Sequence, residues 1–216
     1  TSGSGSPTFL SGATTFHKLT INSAATVINM GSTVSINNAA GAALDIQAGV
    51  FNIDTTNLSG PGLSNGTLTI ASGATLCLGG TTAATTATCD SGITQTTGIV
   101  IPDFLTYTFN AASTVRYLSD TGTGLASVVY GNLYLVPKLT ASAVYSFGSG
   151  AVTINGDFTI NPSASSAFLL TVQLMSPSGH TVASGKTTTV TRTSSATANL
   201  TTTSGGHPFS TGFLNI

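Results

Sequence analysis

The chain has 216 residues with five Lys plus Arg, six acidic residues and a formal net charge of −1 at neutral pH. Charged residues make up 5% of it, about a fifth of ordinary usage, so there is little material for the water-facing sides of helices and no basic face for phosphate. This excludes a helical soluble domain and nucleic-acid binding, while 40% apolar residues at regular spacing exclude a disordered chain.

Polarity comes from Thr, Ser, Asn and Gly, which suit strands and turns, and an all-β fold follows. The longest apolar stretch lies around Ala167, Phe168, Leu169 and Leu170, far short of the roughly 18 residues that a membrane span needs. A chain starting at Thr1 with no Met and no apolar leader is compatible with export after signal removal.

Residues 1–15 open with a Ser/Gly-rich run and are expected to be flexible, or held by a partner through Thr8, Phe9 and Leu10. Residues 16–216 then read as one domain. A single phrase recurs through it, a Gly or Ala followed by two apolar residues flanking a polar one: Val34-Ser-Ile36, Phe51-Asn-Ile53, Leu68-Thr-Ile70, Leu76-Cys-Leu78, Val152-Thr-Ile154 and Leu214-Asn-Ile216. Each is a short strand with period-two alternation.

Strand ends Ile21, Ile36, Ile53 and Ile70 lie 15, 17 and 17 residues apart, and Tyr117, Leu135, Ile154, Val172 and Val190 lie 18, 19, 18 and 18 apart. A near-constant step predicts a β-solenoid, a parallel β-helix with 17–19 residues per rung, in which Ile36, Ile53 and Ile70 form one ladder and Leu135, Ile154 and Val172 another. The alternative is a β-sandwich or jelly roll completed by a donated strand.

The step breaks between Leu78 and Ile101. This reads as a loop thrown out of one rung and closed by a Cys77–Cys89 disulfide, with two unbridged thiols as the alternative. A metal site would need partners, and His17, His180 and His207 are distant in sequence. An aromatic cluster, Phe104, Tyr107 and Phe109, follows Pro102 and marks a seam near 101–110. The last strand, Phe213 to Ile216, is apolar.

Ser113-Thr-Val-Arg-Tyr117, Val129-Tyr-Gly-Asn-Leu-Tyr-Leu135 and Val152-Thr-Ile-Asn-Gly-Asp-Phe-Thr-Ile160 resemble the Thr/Asn/Gly-rich repeats of bacterial surface proteins of the adhesin or haemagglutinin-like type. The resemblance covers the chain from about Phe16 onward and implies an exported β-solenoid serving as spacer, adhesive stalk or fibre.

No constellation in the sequence carries catalysis. Asp45, Asp54, Asp90, Asp103, Asp120 and Asp157 are scattered, Arg116 and Lys138 lie about one rung apart, and abundant Ser never occurs in a nucleophile-elbow motif. Non-enzymatic function without a cofactor is therefore expected. Asn57, Asn65 and Asn199 stand in glycosylation sequons.

The reading that follows is an extracellular structural protein, the subunit of a surface filament or pilus-like fibre built head to tail with itself through Thr8, Phe9 and Leu10 at one end and Phe213, Leu214 and Ile216 at the other. An adhesin or glycan-binding module contacting surface glycans or neighbouring cells is the alternative, and a polysaccharide-active β-helix enzyme a more distant one.

Overall fold

The computed structural model describes residues 14–54, 58–80, 84, 86, 88–89, 99–175, 179–202 and 209–216, and every regular element among them is a β-strand. The first half holds β1 (Thr14–Phe16), β2 (Lys18–Asn29), β3 (Val34–Ile36), β4 (Ala43–Ile53), β5 (Leu58–Ser59), β6 (Thr67–Ile70), β7 (Thr75–Leu78), β8 (Thr106–Phe109) and β9 (Thr114–Tyr117). Next come β10 (Thr123–Leu125), β11 (Val129–Tyr130), β12 (Asn132–Leu135), β13 (Lys138–Leu139), β14 (Ala143–Phe147), β15 (Val152–Ile154) and β16 (Phe158–Ile160). The chain continues with β17 (Ser163–Ala164), β18 (Leu169–Leu174), β19 (His180–Val182), β20 (Thr187–Val190), β21 (Thr193–Ser194), β22 (Thr197–Thr202), β23 (Phe209–Ser210) and β24 (Phe213–Asn215).

All pairings among the described residues are parallel. In the second half the strand numbers within a sheet advance by four: β10, β14, β18 and β22 form one sheet and β11, β15, β19 and β23 another. The strands β13, β17 and β21 form a third, while β12, β16, β20 and β24 extend the largest sheet. Each pass of the chain thus visits the sheets in one order and then lies beside its own preceding pass. In the first half a pass is simpler, because β2 and β4 each run through a corner and pair along both halves. One ladder, β2, β4, β7, β9, β12, β16, β20 and β24, runs unbroken through eight passes. At about 4.8 Å per strand it is about 34 Å tall.

Inward positions stack into columns. Along this ladder Ile28, Phe51, Leu76, Val115, Leu133, Phe158, Thr188 and Leu214 lie in register, each beside its counterpart in the next pass. Where the pass widens, tyrosines fill the interior. Tyr117, Tyr130 and Tyr145 are fully buried. Tyr117 and Tyr130 hydroxyls lie 3.3 Å apart, Tyr130 donates to the Ala126 carbonyl at 2.8 Å, and Tyr145 donates to the Ser119 carbonyl. Burial pushes the Tyr117 hydroxyl up to about 12 and holds Tyr130 and Tyr145 well above the usual range, so all three stay neutral donors at physiological pH.

The register corrects the predicted step. Ile21, Ile46 and Ile70 are partners at steps of 25 and 24, and Tyr117, Leu135, Ile160 and Val190 at 18, 25 and 30. Apart from Tyr117 and Leu135, which are partners, the 17–19 spacing joined residues that are not in register: Ile36 is level with Phe16, Ile53 with Leu78, and Ile70 with Ile46 and Phe109. Likewise Leu135, Ile154 and Val172 fall in three separate sheets. The sandwich and jelly-roll alternative also fails, since those folds are built from antiparallel pairs. At the N-terminal boundary, β1 already begins at Thr14, inside the segment expected to be flexible. Near residues 101–110, β8 ends its ladder, and Phe109 meets Tyr130 of the next pass through ring contact at 6.0 Å.

The corner entering the main ladder is tight. A Cβ on Gly131 would lie 2.3 Å from the Asn110 carbonyl oxygen and 2.5 Å from that of Ser113, whereas one on Gly124 would meet nothing within 4 Å. Gly131→Ala is expected to destabilise the fold by about 1–3 kcal/mol in urea unfolding, and Gly124→Ala to leave stability unchanged or raise it by up to about 1 kcal/mol. Equal effects at the two positions would contradict the close-packed corner.

Candidate functional site

Two features stand out from the regular stack, a cover on one outer face and an open final pass. The cover follows β7. Cys77 and Cys89 form a disulfide with Cα atoms 6.4 Å apart, as the spacing suggested. Within the described part of this loop, Ala84 and Cys89 are buried and pack with Val27, Val50, Cys77 and Leu118 in a second apolar cluster outside the main core. Beneath it lie two buried amides in one column. Asn52 donates to the Asn29 side-chain oxygen at 2.7 Å, and Asn29 donates to the Ala84 carbonyl at 3.0 Å. The described part of the cover therefore gives the buried Asn29 amide an acceptor in otherwise apolar surroundings, and the bridge pins it there. The alternation left Asn29 and Asn52 at outward positions. Their position level with Cys77 was the only signal that something covers them.

The final pass is the reverse case. Leu214 stands at the end of the inward column whose members Leu133 and Phe158 are fully buried, yet it is 56% exposed, and Phe213 and Ile216 are 62% and 89% exposed. Among the described residues β24 pairs with β20 alone, and β21, β22 and β23 likewise end their sheets. A cleft of about 370 Å³ opens there between Val190, Thr191, Arg192, Thr197, Ala198 and Ile216. Backbone edge and core are thus open together, and the arrangement offers apolar contact and ladder hydrogen bonds to one more parallel strand. Thr8, Phe9 and Leu10 lie outside the described residues.

Among the sequons, Asn199 is exposed on β22, Asn65 is half-buried with its amide donating to the Asn38 side chain, and Asn57 lies outside the described residues. Asp45 belongs to β4 and Asp54 is the residue directly after it. They occupy the two ends of one extended segment, Asp45 accepting from Gln47 at 2.7 Å and the buried Asp54 from the Gly31 N–H at 3.1 Å. Asp120 accepts from Thr140 and Asp157 from the Thr187 N–H, while the Arg116 guanidinium sits 5.0 Å above the Tyr134 ring. The described residues hold no group of three or more His, Cys or Asp able to bind a metal, and no helix long and apolar enough to cross a membrane.

No family model matches the chain, and no curated protein or solved structure matches it significantly.

Replacing both Cys77 and Cys89 by Ala is expected to lower stability by about 2–3 kcal/mol, the loop-closure value for a short bridged segment. Hydrogen exchange at Asn29 and Asn52 should accelerate at the same time. Unchanged protection there would mean that the cover stays in place without the bridge.

Proposed function

We propose that the chain is a β-solenoid building block of an extracellular fibre, stacking head to tail on further copies of itself. The observation that carries the reading is the open final pass, where Leu214 is exposed although Phe51, Leu76, Val115, Leu133, Phe158 and Thr188 in its column are buried, and Ile216 beside it is exposed too. Several properties support it. Parallel pairing throughout means that a copy translated along the stack meets this edge in the strand direction that the edge already uses, and translation without closure gives a filament. A net charge of −1 spread over the whole chain offers almost no repulsion between copies. The disulfide is compatible with an oxidising, extracellular setting. Structural work also suits a molecule in which Asp45, Asp54, Asp120 and Asp157 are each engaged by a local partner.

Negative-stain microscopy and size-exclusion chromatography provide the test, with circular dichroism reporting the fold. The full chain is expected to form filaments, and Leu214→Lys, at an exposed position, to remain monomeric with an unchanged β-sheet spectrum. Deleting Phe213 to Ile216 should do the same. A full chain that stays monomeric at high concentration, or filaments that persist in both variants, would overturn the proposal.

A further inference from the structure

Resting on the fibre reading, we infer that the strand received by β24 is β2 of the next copy, in a single register that continues the columns of the stack. Each outward column contains one residue per pass. The first runs Asn29, Asn52, Cys77, Arg116, Tyr134, Thr159, Thr189 and Asn215. It begins and ends on Asn, and the Asn29–Asn52 contact demonstrates how two amides pair across adjacent passes. Placing the next copy's Asn29 beside Asn215 repeats that contact. The same placement sets Val27 beside Phe213 and Ile28 beside Leu214. Apolar residues then meet apolar residues on both faces of the strand, whereas a slip by one residue would set Asn215 beside Ile28 and bury an amide against an aliphatic chain.

A second column fixes the register independently. Thr20, Asp45, Thr69 and Thr108 are partners in the first half, and Val129, Thr153, Thr181 and Ser210 in the second. Val129 follows Thr108 because Phe109 and Tyr130, the next residues, are in tilted ring contact with centroids 6.0 Å apart. Continuing this column brings the next copy's Thr20 beside Ser210, hydroxyl to hydroxyl, with Leu19 beside the partly buried Phe209. Both strands of the junction therefore select the same translation. Among the described residues β2 pairs with β4 alone.

Cysteine cross-linking reads the register directly. Ser210 and Thr20 are both exposed, and the native cysteines are buried and already bridged. Singly substituted Ser210→Cys and Thr20→Cys chains, mixed under mild oxidation, are expected to yield at least about tenfold more disulfide-linked dimer than Ser210→Cys mixed with Lys18→Cys, whose Cα would lie beyond the roughly 7 Å that a bridge can span. Ser210→Cys alone should give no dimer. Microscopy of the same samples separates the two levels of the account. Filaments without the Ser210–Thr20 cross-link, or with equal Lys18 cross-linking, would overturn the register and leave the fibre reading standing. Absence of filaments from every sample would overturn both.

Discussion

The constraint on which everything else depends is parallel stacking in register, which places each side chain about 4.8 Å from its counterpart in the pass above and below. Inward, this rewards columns of apolar groups: Phe51, Leu76, Val115, Leu133 and Phe158 are all fully buried in one of them. Outward, it penalises charge, because like charges on adjacent parallel strands repel at that spacing. The composition follows from this. In the column from Thr20 to Ser210, Asp45 is the one charged residue, and in that from Asn29 to Asn215 it is Arg116, set against the Tyr134 ring. Thr, Ser and Asn carry the remaining polarity through short uncharged side chains.

Departures from the regular stack occur where a column cannot continue unaided. Asn29 and Asn52 would be buried without partners beneath a cover, and the Ala84 carbonyl and their mutual contact supply those partners, with the Cys77–Cys89 bridge keeping the cover closed. Where passes change from three strands to four, rings replace aliphatic side chains, and the hydroxyls of Tyr117, Tyr130 and Tyr145 bond among themselves or to backbone carbonyls. Both devices close the stack laterally. Among the described residues nothing comparable covers Leu214 and Ile216, and the proposed assembly rests on that exposure.

Alternation made the strands legible: the phrases at Val34, Phe51, Leu68, Leu76, Val152 and Leu214 all lie in or at the edge of strands. The step between passes was not legible, because the phrase encodes an inward-facing strand without encoding which sheet the strand joins. Ile36 and Ile53 share the phrase and belong to different sheets. Corner lengths obscured the period further, since Tyr117 to Leu135 takes 18 residues and Ile160 to Val190 takes 30 in the same ladder. The cysteine pairing was read from spacing alone. The cover was not, as its Gly, Thr and Ala residues look like an ordinary exposed loop, and the Asn pair beneath it has no apolar pattern. For the open pass, the apolar Phe213, Leu214 and Ile216 were visible in the sequence, but their exposure depends on which strands lie beside them.

The most direct measurement of the central claim is the axial rise per subunit in a filament, by helical reconstruction from electron cryomicroscopy. The eight described passes, joined in continuous register from copy to copy, predict a rise of about 38 Å, with strands perpendicular to the axis at about 4.8 Å. A rise that differs by more than one strand spacing, or strands running along the filament, would contradict the account.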